Sequence, residues 1–383
     1  MKLQKTLVAV ALLAALSACS NDDDNNQVVD GFNLTIAHIN DTHSNFDPVK
    51  SSFTMGKDGD VVYNEFGGYP RLLEAANEVK EETSQPLLFL HGGDAWQGTA
   101  YFKLNQGMAN ADLLSQMGLD AMALGNHEFD LDTAKLANFI DSVNFPVLAN
   151  NMDAGLDPSL SGSTNLKPYQ LFAFDGATKR KVADVTDAKE DEQIVAVIGV
   201  VLEDMPTIAT GTGDVKFENE IAFTQTTINA LKAQGVNKIV VLSHIGNARD
   251  ITLAEGTTGI DVIVGGHSHT LLGDFTDLGH GDNGVYAQLV KQKDEVGQTC
   301  IVQAGQYAQA IGKVDVRFDT NGKLLSCAGQ NTLLTNEEFY RDGKREESDL
   351  LTGADHEKVE GFIDETALID NVEENNDMRV HID

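Results

Sequence analysis

The sequence predicts a layered α/β domain. Short apolar, β-branched runs recur along the chain, and segments with helical periodicity separate them. The residues able to do chemistry fall just after those runs, which points to one crevice beyond the carboxyl ends of the strands.

Residues 1–19 stand apart from this pattern. Lys2 and Lys5 precede an apolar stretch from Leu7 to Leu16, which closes on Leu16-Ser17-Ala18-Cys19. The stretch is short for a membrane span and has the layout of an export signal. Its ending resembles the bacterial lipobox, which implies lipidation of Cys19. With Ser20 rather than aspartate next, it implies an outer-membrane lipoprotein of a Gram-negative bacterium; a plain cleaved signal would release the chain to the periplasm. Residues 20–32, beginning "SNDDDNNQ", read as a flexible tether.

The strand-like runs are "LTIAHI" (34–39), "LLFLHG" (87–92), "AMALG" (121–125), "PVLAN" (146–150), "IVAVIGVV" (194–201), "KIVVLSHI" (238–245) and "DVIVGG" (261–266). A helix is expected from Pro70, since proline suits a first helical turn. A second should close on Gly118, a favourable C-terminal cap. "DTAKLANFIDSV" and "TQTTINALKAQG" share the helical period. Residues 153–192, rich in Gly, Ser, Asp and Lys, read as loops plus an irregular hairpin, and 330–383 as an acidic linker or tail.

The chain has 383 residues, with 59 Asp and Glu against 27 Lys and Arg, for a formal net charge of -32. Such a surface repels nucleic acid polymers and anionic lipid, so membrane contact is expected only through a lipid anchor. Oligomeric state is left open by the sequence.

Five loops carry the chemistry: "NDTH" with Asp41 and His43, "HGGD" with Asp94, "GNHEFD" with Asn126, His127 and Asp130, "SHIG" with His244, and "GGHSHT" with His267 and His269. Each motif alone reads equally well as a structural turn. Together, each after a strand, they offer carboxylate, imidazole and amide donors to one place. His38 and His91, on strands beside these motifs, read as packing or supporting residues, and Trp96 and Phe129 as loop packing.

The ordered series Asp-x-His, Gly-Asp, Gly-Asn-His-Glu, His and Gly-His-x-His resembles the calcineurin-like metallophosphoesterase superfamily. "NDTH", "GGDAWQGT", "LGNHEFD" and "NFPVLANN" are similar to the 5'-nucleotidase and UDP-sugar hydrolase family, over about residues 33–325. The resemblance implies an αββα sandwich over 33–329 with a dinuclear metal site at the carboxyl ends of the strands. One ion would take Asp41, His43, Asp94 and His269; the other would take Asp94, Asn126, His244 and His267. His127 would act at the leaving group, oriented by Asp130. The mixed N and O donor set suits Zn, Mn, Mg, Fe or Co without choosing among them. Two divalent ions against Asp41 and Asp94 leave a local positive excess, which explains how so acidic a chain could attract phosphate.

The implied reaction is hydrolysis of phosphate esters by a metal-bridging hydroxide. The implied substrates are nucleotides or other small phosphoesters. A 2',3'-cyclic phosphodiesterase, a general phosphatase and a non-catalytic metal- or nucleotide-binding lipoprotein are the alternatives. Two departures from the family stand out. It often carries an amide where this chain has His269, and its C-terminal nucleotide-binding domain is expected to be absent here.

Cys300 and Cys327 remain. Export makes a disulfide between them plausible. "AIGKVDVRFD" and "KLLSCAG" flank Thr320-Asn321-Gly322 as a hairpin, with Cys300 expected on a neighbouring strand. Two separate buried thiols are the alternative.

Overall fold

The computed structural model describes residues 30–383; the expected export signal, Cys19 and most of the expected tether lie outside the described residues. Two mixed sheets face each other. The first has a parallel centre, Asp30–Ile39, Leu87–His91, Ala121–Ala123 and Val147–Leu148, extended on one side by the antiparallel strands Ala310–Asp319 and Leu324–Thr335. The second has Gln193–Val201, Ile239–His244, Val262–Val264 and Gln298–Val302 in parallel order.

Residue alternation explains the layers. In the strand Asp30–Ile39, Leu34 and Ile36 face the opposing sheet, whereas Ala37 and Ile39 pack with the helix-covered cluster. In Ile239–His244, Val240 and Leu242 face inward, and Ile239 and Val241 face the helices. Successive side chains of a strand point to opposite faces, so a strand apolar at every position is buried on both. The result is the α/β sandwich that the sequence predicts.

The helices begin and end close to the expected residues. The first spans Tyr69–Glu82 with proline in its first turn. Met108–Gln116 stops two residues before Gly118, whose φ is 71°. Thr133–Ser142 is capped by Asp132, whose side chain accepts from the Lys135 amide. Within 153–192 the expected hairpin is Tyr169–Asp175 paired with Thr178–Val182.

Three expectations are corrected. The first strand begins at Asp30, so residues 30–32 belong to the folded domain and not to the expected tether. The segment 330–383 is not a linker. Leu324–Thr335 runs across its start, and Ile369–Asn371 pairs in parallel with that strand. The helix Ala354–Glu365 buries Val359 and Ile363 against Phe53, Phe66 and Phe339. Arg71, buried in the first helix, donates to the Thr335 and Val372 carbonyls and ties this segment to the core. Its acidic residues occupy the solvent face and outnumber the apolar ones that hold it down.

The third correction concerns Cys300, which does not neighbour Cys327 in one sheet. It lies on Gln298–Val302 of the second sheet, and its disulfide to Cys327 on Leu324–Thr335 joins the two sheets, with a Cα–Cα distance of 6.3 Å. The bond closes a loop with a sequence separation of 27 residues. Replacing both cysteines with alanine is expected to cost about 2–5 kcal/mol of unfolding free energy. Denaturant titration under non-reducing conditions measures it.

Among the described residues, no helix is long and apolar enough to cross a membrane.

Candidate metal centre and active site

The site forms where strands of both sheets end. Asp41 and His43 follow Asp30–Ile39, Asp94 follows Leu87–His91, and Asn126 and His127 follow Ala121–Ala123. From the second sheet come His244, at the end of its strand, and His267 and His269, after Val262–Val264. The structure brings all seven expected ligands together, with His127 beside them.

Three sets of donors each keep their ligand atoms within 4.8 Å of one another: Asp41, His43 and His269; His43, Asp94 and His127; and Asp94, His244 and His267. His43 Nε2 is 3.1 Å from His269 Nε2, and His269 Nε2 is 3.3 Å from Asp41 Oδ1. On the other side, His244 Nε2 lies 3.0 Å from Asp94 Oδ2 and 3.2 Å from Asn126 Oδ1. His267 Nδ1 is 2.7 Å from the same Asn126 oxygen. Asp94 therefore stands between the two sets.

The backbone is bent to achieve this. Asp41, His43, Asp94, His267 and His269 all have left-handed φ, between 46° and 74°. Such conformations are unfavourable for these residues and persist where the surroundings over-determine them, commonly at functional sites. Close approach also requires glycine. A Cβ on Gly125 would sit 2.1 Å from Asp94 Oδ1, and one on Gly93 would sit 2.6 Å from His244 Nδ1.

The donor set fits a divalent cation. His43 Nδ1 lies 3.0 Å from the Trp96 carbonyl, and His244 Nδ1 lies 2.7 Å from the Gly92 carbonyl. A carbonyl only accepts, so both rings carry a proton on Nδ1 and, when neutral, aim the Nε2 lone pair inward. Those lone pairs meet a carboxylate, an amide oxygen and a third imidazole. Only a proton or a metal ion relieves such crowding of acceptors. Burial opposes charge on His244, yet the facing Asp94 carboxylate holds its pKa well above the usual imidazole range. Burial likewise works against ionised Asp94, but His244 facing it holds the carboxyl well below the usual range. His244 and Asp94 would hold a divalent ion in place of that proton.

His127 opens the 3-10 turn His127–Phe129, and its amide donates to Asp94 Oδ1 at 2.9 Å. Its Nδ1 lies 2.7 Å from Asp130 Oδ2, and about a third of the side chain, 32%, is exposed. Burial lowers its basicity, but the bond to Asp130 and the field of Asp94 prevail, so its pKa is raised. It can hold a proton at the mouth of the site.

Other residues support this frame. Glu128, fully buried, accepts from the backbone amides of Asp94, Ala95, Trp96 and Gly125. Asn40 donates to Asp41 Oδ2 and to the Gly305 carbonyl, and accepts from the Ala304 amide. His91 Nδ1 accepts from the Gly93 amide at 3.1 Å, so it supports the Asp94 loop, whereas His38 pairs with Tyr286. Trp96 and Phe129 are fully buried. Asn40 sits in the motif "HINDTH", yet its reach across to Ala304 and Gly305 has no local signal. Tyr307, with ring centroids 5.7 and 5.9 Å from those of His43 and His269, was not among the expected site residues.

Residues 34–271 match the calcineurin-like phosphoesterase family. The chain belongs to that family. Members of the family use divalent metals. This phosphoesterase chain is 30% identical to the rat (Rattus norvegicus) 5'-nucleotidase over 315 residues, covering 81% of this chain and 50% of that protein. Its structure is similar to that of a 5'-nucleotidase precursor from Thermus thermophilus, with TM-score 0.69, 35% identity and coverage of 79% and 55% of the two chains. It is also similar to the Haemophilus influenzae NAD nucleotidase, with TM-score 0.80, 27% identity and coverage of 92% and 60%. The chain thus spans between half and three-fifths of the length of these relatives.

Proposed function

We propose that the chain is a metal-dependent phosphoester hydrolase acting on nucleotides, of the 5'-nucleotidase or UDP-sugar hydrolase type. The observation that carries this reading is the His127–Asp130 pair at the exposed edge of the donors gathered around Asp94. The names of the similar proteins favour a nucleotide over other phosphate esters.

Two divalent ions are the proposed cofactors, drawn from Zn, Mn, Mg, Fe or Co. Asp41, His43 and His269 would hold one, Asn126, His244 and His267 the other, with Asp94 shared. Bound there, divalent ions supply Lewis acidity toward phosphoryl oxygens and acidify water. The remaining work belongs to the chain. His43 and His244, oriented by the Trp96 and Gly92 carbonyls, present their Nε2 atoms without rearrangement. His127 holds a proton on its outward nitrogen and delivers it to the leaving oxygen, while Asp130 fixes the ring and favours its charged form.

We also propose export to the periplasm or outer membrane of a Gram-negative bacterium, with Cys19 as lipid anchor. The export signal in the sequence supports this, and a disulfide suits an oxidising compartment.

The test is hydrolysis of AMP, UDP-glucose, 2',3'-cyclic AMP and an aryl phosphate with added Mn2+ or Zn2+. Metal-dependent turnover with AMP or UDP-glucose as the best substrate is expected. Preference for the cyclic nucleotide or the aryl phosphate would replace the nucleotidase reading. Metal binding without turnover of any would leave only a binding protein.

A further inference from the structure

We propose that Gln303 is a positioning residue for the segment Gly266–Thr270 and thereby sets how tightly His267 and His269 hold metal. The inference rests on the metal reading above. Gln303 follows the strand Gln298–Val302 and lies beyond residues 34–271, which carry the family match. It is fully buried. Its side chain spends every strong bond on one short stretch. Nε2 donates to the Gly266 carbonyl at 2.7 Å; Oε1 accepts from the Thr270 amide at 2.6 Å and from the Ser268 hydroxyl at 2.9 Å.

One amide thus clamps both ends of the His-Ser-His stretch. Both histidines within it have left-handed backbones, φ 74° at His267 and 55° at His269. Without external restraint, such residues relax toward ordinary φ, and the two imidazoles would turn away from Asn126 and His43. Inside the stretch, one backbone bond resists this, Ser268 N to the Gly266 carbonyl at 3.0 Å. From outside, Asp41 accepts from the His267 amide, the Gly305 amide donates to the Thr270 carbonyl and the Asn247 amide donates to the Ser268 hydroxyl. Gln303 adds three bonds and, among the described residues, is the one side chain that holds both ends.

Gln303 is itself anchored. Its carbonyl accepts from Asn331 Nδ2 at 2.7 Å, and Asn331 is buried on Leu324–Thr335 of the opposite sheet. The same Asn331 nitrogen donates to the Leu272 carbonyl at 2.9 Å, just past the segment. The metal-facing loop of the second sheet is therefore registered against the first sheet through two buried amides. No side-chain atom of Gln303 bonds to a candidate ligand side chain, which makes it a positioning residue rather than a catalytic one.

The experiment is calorimetric titration of the mature chain with Mn2+, wild type against Gln303→Met and Gln303→Glu. Methionine keeps the length of the side chain and removes all three bonds. Glutamate keeps the acceptor for Thr270 and Ser268 and replaces the donor to Gly266 with a carboxyl oxygen, so it reads the same effect if the methionine variant does not fold. Gln303→Met is expected to weaken Mn2+ binding about 10–100-fold. The glutamate variant should show a smaller loss in the same direction. Turnover should recover as Mn2+ is raised, with kcat near wild type at saturation, which a merely structural defect would not produce. Unchanged Mn2+ affinity in a folded variant overturns the inference and leaves the metal reading standing. A wild-type chain that takes up no divalent ion overturns both.

Discussion

Replacing His127 with alanine is expected to lower kcat for the best substrate about 10²–10⁴-fold, the span associated with loss of a positioned general acid. Divalent-metal uptake should survive, because Asp41, Asp94, Asn126 and the histidines His43, His244, His267 and His269 remain grouped without it. Asp130→Asn supplies the complementary test. Asp130 is the first of the influences that raise the pKa of His127 against its partial burial. Removing that charge lets the pKa fall, so the alkaline limb of the kcat–pH profile should move to lower pH. Initial rates across the pH range, at saturating metal, measure both effects. A His127→Ala variant with wild-type kcat would remove the proton-transfer role.

Glu128→Ala is expected to carry the largest stability loss of any single change near the site. The carboxylate is fully buried and accepts four backbone amides, from Asp94, Ala95, Trp96 and Gly125. Alanine leaves those donors without a partner in a dry interior. Each buried donor left unsatisfied costs about 1–3 kcal/mol. The Asp94 loop, with its left-handed backbone, loses its fixed shape at the same time. Chemical denaturation in the presence of a chelator isolates the stability term. A loss under about 1 kcal/mol, the low end for an unsatisfied buried group, would show that the amides find water instead. Glu128 lies between His127 and Asp130 in the sequence, and nothing local marks it as the organiser of a loop more than thirty residues earlier.

Much of the architecture is legible in the sequence because its signals are local. A strand such as Ile239–His244 is apolar at its first four positions, as burial on both faces demands. The candidate ligands follow such strands within a few residues, and parallel strands bring their carboxyl ends to one edge. The convergence of Asp41, Asp94, Asn126 and His244 is thus a consequence of topology that motif order exposes. What escapes is long-range. Gln303 looks like any polar residue after a strand, and its value lies in carbonyls and amides some 35 residues away. Cys300 and Cys327 can be paired on paper, but whether they share a sheet depends on strand order, which no local pattern encodes. The acidic C-terminal segment misleads for another reason. Val359, Ile363, Ile369, Val372 and Met378 are few and widely spaced, yet each is buried. Average composition reports the solvent face and hides the other.

The most direct test of the account is to strip the mature chain with a chelator, return Mn2+ in measured steps, and follow bound metal and AMP hydrolysis together. Turnover should vanish in the stripped protein and rise with occupancy to a plateau near two ions per chain. Hydrolysis that persists after complete metal removal, or a fully loaded chain that turns over none of the phosphoesters, would contradict the central claim.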